Sequence, residues 1–167
     1  MEESFSEGNN SLGIILNLSS RSDRTGARLT SIIHKKIAEF LTNFESEDII
    51  YIYQKDVIKP CKSKGSACSL LGNLESIEID LEFAFKQTIY LIANEDPYNN
   101  KYVIYLTDRC QPQDSIIIKK CLNLVEKDDL EVNFILISLG NNVENLPNFR
   151  HLNDPNQLNL KSLFDEQ

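Results

Sequence analysis

Four unbroken apolar runs constrain this chain more than any other feature. They are residues 13–18 (GIILNL), 48–53 (DIIYIY), 102–106 (YVIYL) and 131–139 (EVNFILISL). Each is short, rich in β-branched residues and without strict alternation, which is the pattern of a strand buried on both faces. Between them lie segments with helical spacing. Residues 29, 32, 33, 37, 40, 41 and 44 are apolar and form one face of a helix of about four turns. Ile77, Leu81, Ala84, Phe85, Thr88, Ile89 and Ile92 mark a second helix, and Ile117, Ile118, Cys121, Leu122 and Val125 mark a third after Pro112. Buried strands separated by helices predict an α/β fold: a doubly wound, mostly parallel sheet with helices on both faces.

The remaining segments fill in that plan. Residues 49–59 predict a hairpin, with a turn at 54–56 and a short antiparallel edge strand over 57–59 that Pro60 stops. Residues 62–72 and 94–100 are loops. Residues 149–152 predict a last short strand, and 158–164 a closing helix. Residues 1–12 are polar and predict a mobile tail, so the domain is expected to span 13–167. His34 falls on the face opposite the apolar stripe of the first helix, as a solvated residue.

Composition excludes several classes. Seventeen basic residues against 25 acidic ones give a net charge of −8, which opposes nucleic acid and anionic membranes and favours neutral or basic protein surfaces, or cations. No apolar run reaches the ~20 residues of a membrane span, and the start of the chain lacks a basic segment followed by an apolar signal core. The expectation is an intracellular protein, cytoplasmic or nuclear. Its four cysteines, Cys61, Cys68, Cys110 and Cys121, are then reduced thiols, and their spacing matches no zinc pattern. The triplets beginning at Asn9 and Asn17 have the glycosylation pattern, which has no consequence in that setting.

In a doubly wound sheet ligands gather outside the C-terminal ends of the strands, at the point where strand order reverses. After the first strand the chain reads Asn17-Leu18-Ser19-Ser20-Arg21-Ser22-Asp23, and after the third long strand Thr107-Asp108-Arg109. Hydroxyls and carboxylates brought together there are the oxygen donors that Mg²⁺ or Mn²⁺ prefers. With this element order, the hairpin at 49–59 and the phrase YVIYLTD, the chain resembles the von Willebrand factor A (vWA) family over residues 13–164. The resemblance implies a metal-ion-dependent adhesion site. That site is built from Asp-x-Ser-x-Ser after the first strand, a Thr before the middle helix and the Asp of Thr-Asp-Gly, with a partner carboxylate completing the shell.

The sequence departs from that pattern. Asn17 stands for the leading Asp, Ser19 matches the first Ser, and Arg21 stands for the second, flanked by Ser20 and Ser22. The loop Thr falls at Glu75 or Ser76 when Ala84 is set on the small residue of the helix. Asp108 matches, and Arg109 replaces the Gly. At an effective dielectric near 20, one charge ~4 Å away is worth roughly 4 kcal/mol before screening, so a guanidinium at that distance opposes a dication. The resemblance therefore implies a degenerate site with weak or no metal binding and no required cofactor. A residual Mg²⁺ site would use Ser19, Ser76 and Asp108. Two alternatives stand for Arg21: a bidentate bridge between Asp108 and Ser19 in place of the cation, or a solvated loop position.

The leading functional reading is a non-catalytic protein–protein interaction module, a subunit or scaffold of a larger assembly, binding through Asn17, Ser19, Arg21, Ser22, Glu75, Ser76, Asp108 and Arg109. The chain shows no nucleophile–base pair, no phosphate loop of the G-x-x-x-x-G-K type and no zinc helix motif, and neither His34 nor His151 falls at a predicted upper strand end. An alternative is a flavodoxin-like small-molecule or phosphate binder using the loop 19–26 at a helix N-terminus. The hairpin stands against it, because such sheets run wholly parallel. A third reading makes Cys110 a nucleophile beside Asp108, which needs a base that the sequence does not place.

Overall fold

The computed structural model describes residues 9–18, 26, 28–42, 49–54, 57–61, 80–108, 112–139 and 149–165. In chain order the elements are β1 (Asn10–Asn17), α1 (Leu29–Leu41), β2 (Ile49–Gln54), β3 (Val57–Cys61), α2 (Leu81–Ala93), β4 (Asn100–Thr107), α3 (Pro112–Lys127), β5 (Asn133–Leu139) and β6 (Phe149–Leu152). A 3₁₀ turn (Pro155–Gln157) and α4 (Leu160–Asp165) follow. The strands form one sheet in the order β3-β2-β1-β4-β5-β6. All neighbours pair in parallel except β2 and β3, which form the expected antiparallel hairpin. The fold is thus a doubly wound α/β sheet. Its strand order reverses between β1 and β4.

Alternation along the strands divides the core into two layers. Leu12, Ile14, Ile50, Ile52, Ile104, Leu106, Ile135, Ile137 and Leu139 face α1 and α4. Ile15, Tyr53, Val103, Tyr105 and Leu136 face α2 and α3, where Ala84, Phe85, Ile89, Ile118, Cys121 and Val125 meet them. The helical stripes fall as their spacing dictates: Leu29, Ile32, Ile33, Ile37, Phe40 and Leu41 are buried on α1, and Leu81, Ala84, Phe85, Thr88, Ile89 and Ile92 on α2. Asp80 caps α2 by accepting a hydrogen bond from the Phe83 N–H at 3.1 Å, and Pro112 opens α3, where its missing N–H costs nothing. Gly13 lets α2 approach β1 closely. A Cβ at that position would lie 2.4 Å from Thr88 Cγ2. His34 is half-buried rather than fully solvated.

Several boundaries differ from expectation for identifiable reasons. β1 begins at Asn10 and not Gly13, so Asn10, Ser11 and Leu12 belong to the sheet and not to a tail. The segment around the start of β4 ties this stretch down: Asn100 N–H donates to the Asn9 carbonyl at 2.8 Å, and Asn99 Nδ2 donates to Ser11 Oγ at 3.0 Å. β3 runs through Pro60 to Cys61, which an edge strand tolerates because one row of its N–H groups has no ladder to join. β5 starts at Asn133, two residues later than expected. The closing segment is a 3₁₀ turn capped by Asp154 followed by a short helix, not one helix. Leu16 and Phe134, expected in the core, are half-buried. The predicted extensions of α1 to Phe44 and of α2 back to Ile77 lie outside the described residues.

Candidate functional site

The upper end of the sheet is built by strand register. Asn17 on β1 pairs with Thr107 on β4, Thr107 with Ser138 on β5, and Ser138 with His151 on β6. Parallel partners share a face, so these four polar residues form one row across four strands, on the side of α2 and α3. One step lower the row is Ile15, Tyr105, Leu136 and Phe149. Thr107 and Ser138 are fully buried, Asn17 nearly so, and His151 is exposed at the sheet edge.

This row is internally bonded. Asn17 Nδ2 donates to the Tyr105 hydroxyl at 3.0 Å. Tyr105 is held from two sides by edge-to-face contacts, with Phe85 at 5.0 Å and Phe149 at 6.2 Å between ring centroids. Ser138 Oγ is hydrogen-bonded to His151 Nδ1. The sequence reading found no serine–histidine pair and placed neither histidine at an upper strand end; the register overturns both points. The pair joins a fully buried Ser138 side chain to a His151 ring at the exposed edge. Only the pairing of β5 with β6 reveals it. The signal available in the sequence was the alternation of Phe134, Leu136 and Ser138 on one face of β5.

Of the predicted site residues, the structure brings Asn17 and Asp108 together across the β1–β4 junction, since Asp108 directly follows the partner of Asn17. Asp108 is only 6 % exposed. Ser19, Arg21, Ser22, Glu75, Ser76 and Arg109 lie outside the described residues, as does Cys110. For a divalent cation this edge offers, among the described residues, one carboxylate and the Asn17 amide, whose nitrogen is already committed to Tyr105. No group of three His, Cys, Asp or Glu side chains that could hold a metal ion occurs among the described residues. Thr107 adds a buried hydroxyl to these donors, and the shell that the resemblance implies draws further on hydroxyls. The hydroxyls that would extend it, Ser19 and Ser76, are those outside.

Cys121 is a free thiol in the core beneath α3, and burial pushes its pKa up, which keeps it protonated and unreactive.

A parallel sheet reversing between β1 and β4, an antiparallel hairpin at one edge and helices on both faces define the vWA-type fold. Solved structures share it. The SpRpn10 VWA domain superposes with a TM-score of 0.60 at 11 % identity over 95 % of this chain and 95 % of that one. A von Willebrand factor type A protein from Catenulispora acidiphila gives 0.64 at 14 % identity over 95 % of this chain and 42 % of that one. Proximal thread matrix protein 1 from the mussel byssus gives 0.58 at 14 % identity over 95 % and 48 %. The chain spans less than half the length of the latter two. Neither a protein-family model nor a curated protein sequence matches it. No described helix is long and apolar enough to cross a membrane.

Proposed function

We propose that the chain is a non-catalytic protein–protein interaction module of vWA type, a subunit or scaffold within a larger intracellular assembly, with weak or no metal binding. The observation that carries this reading is the fold together with its switch point. Asn17 and Asp108 stand at the ends of adjacent strands where strand order reverses, the place where doubly wound sheets bind. The binding edge would comprise Asn17, Ser19, Arg21, Ser22, Glu75, Ser76, Asp108 and Arg109. Asn17 and the two arginines replace a carboxylate, a hydroxyl and a glycine of the adhesion site, so the edge meets its partner through side-chain hydrogen bonds and not through a shared cation. The overall charge of −8 draws basic partner surfaces toward the domain at long range, while the two guanidiniums make the contacts at the edge itself.

Affinity capture from the native source, read by mass spectrometry, tests the reading. The parent chain should enrich a partner that the Arg21→Glu, Arg109→Glu variant loses. Equal enrichment by both would overturn the edge assignment. Mg²⁺ at physiological concentration should raise the melting temperature by less than about a degree, since a ligand stabilises only in proportion to its occupancy. A one-to-one calorimetric site tighter than ~100 µM would instead make Ser19, Ser76 and Asp108 ligands.

A further inference from the structure

Away from the upper edge, α2 and α3 run side by side and leave a groove of about 290 Å³ between them, lined by Lys86, Tyr90, Lys120, Asn123, Leu124 and Lys127. Spacing puts these residues on two facing stripes. On α2 they continue Phe83, at 38 % exposure, toward Tyr90, at 42 %; on α3 they continue Ile116, at 70 %. The groove thus combines the exposed Tyr90 and the half-buried Leu124 with three lysines, and no carboxylate lines it. Glu82 stands at its end, and its one carboxylate serves two of the ammoniums, Lys120 at 2.9 Å and Lys86 at 3.1 Å. An excess of two positive charges remains, in a chain whose total is −8. The volume lies at the lower bound of small-molecule sites, roughly 300–1,000 Å³, a size that suits one or two side chains of a peptide.

We propose that the α2–α3 groove docks an acidic segment of a partner protein, its carboxylates on Lys120 and Lys127 and an apolar side chain over Tyr90 and Leu124. The charge distribution selects this class over a nucleic acid or a membrane. At physiological ionic strength the Debye length is about 8 Å, so a short acidic segment in the groove responds to the nearby lysines. A duplex or a bilayer presents negative charge over tens of ångströms and meets the acidic remainder of the domain. The site is separate from the upper edge.

The test is fluorescence anisotropy with a labelled synthetic peptide in which glutamate alternates with leucine, and its glutamine counterpart. The expected result is saturable one-to-one binding to the parent chain. It should weaken at least about tenfold for the glutamine peptide and for Lys120→Glu, Lys127→Glu, and should weaken with rising salt. Both lysines are exposed, so the melting temperature of that variant should stay within a few degrees of the parent. Carbodiimide coupling should join the peptide to Lys120 or Lys127, mapped by mass spectrometry. Absence of saturable binding, equal affinity for both peptides or equal affinity of the variant overturns the proposal. So does tighter binding of duplex DNA or anionic vesicles, or a concentration-dependent dimer that the double variant abolishes, which would make a second copy the occupant. The Arg21→Glu, Arg109→Glu variant should bind the peptide like the parent, so failure here and failure of the upper edge are read separately.

Discussion

The two faces of the sheet are equally dry but are specified differently. Toward α1 and α4 the strands present Leu12, Ile14, Ile104, Leu106, Ile135, Ile137 and Leu139, a mainly aliphatic layer whose one strand aromatic, Tyr102, packs on Phe164 of α4 at 4.4 Å between ring centroids, and whose aliphatic part a well-filled set of similar volume could replace. Toward α2 and α3 they present Gly13, Asn17, Tyr105, Thr107 and Ser138, held by a hydrogen bond, aromatic edges and a close backbone approach. The first face supplies burial. The second adds directional contacts, and it carries the polar row at the upper edge. One fold thus keeps a tolerant layer and an exacting layer on opposite sides of the same strands.

The strongest way to break this comparison is a buried charge on either side. Leu136 and Ile137 are neighbours on β5 that point to opposite faces. Leu136→Asp and Ile137→Asp should each unfold the domain, because an unpaired buried carboxylate costs several kcal/mol against a total stability of roughly 5–15. Circular-dichroism melts check this. A melt of Leu136→Asp within a few degrees of the parent would mean that the α2–α3 face is wet.

Gly13→Ala should cost about 1–3 kcal/mol, since its methyl must displace Thr88. Thr88→Ala in the same chain should recover most of the loss in urea titrations. A conservative swap across the sheet, Ile104→Leu, should cost less than about 1.5 kcal/mol. Equal costs for Gly13→Ala and Ile104→Leu would erase the proposed difference between the layers. Thr88 also carries a buried hydroxyl without a hydrogen-bond partner, so Thr88→Val should be neutral or stabilising by about 1 kcal/mol.

Tyr105→Phe should cost about 1 kcal/mol, the loss of the Asn17 bond, with a coupling of similar size to Asn17→Ala in a double-mutant cycle. Additivity would mean that the row is not a unit. The smallest effect lies outside both layers. Hydrogen bonds from Lys120 and then Lys86 hold the Glu82 carboxyl below its ordinary 4.5. Its contribution is complete above the pKa of an unfolded glutamate and fades as pH falls through the depressed value. An NMR titration should find that midpoint, and Lys120→Ala should move it upward.

Legibility in the sequence followed the range of the interactions. The helices were plain because apolar spacing over 29–41 and 81–92 repeats within a few turns. The four central strands were plain because both their sides are buried. The hairpin was plain from its turn. What stayed hidden depended on partners distant in sequence. Asn9 and Ser11 read as tail because their hydrogen-bonding partners, Asn100 and Asn99, lie about 90 residues away. The row from Asn17 to His151 exists only once four strands are in register. Asn17 and Asp108 were found as candidate site residues because motif resemblance reaches across that distance where periodicity does not.

Pro60 has a consequence for how this domain can be met by others. It sits on β3, the outer strand at one end of the sheet, opposite Tyr51, and it has no N–H to offer a newcomer. The outer strand at the other end, β6, is only four residues long. Neither flank presents a continuous ladder, so an incoming extended chain finds little to zip onto, and the sheet resists lengthening by copies of itself or by foreign strands. Contact with other molecules then falls to the ends of the strands and to the outer faces of the helices rather than to the flanks of the sheet.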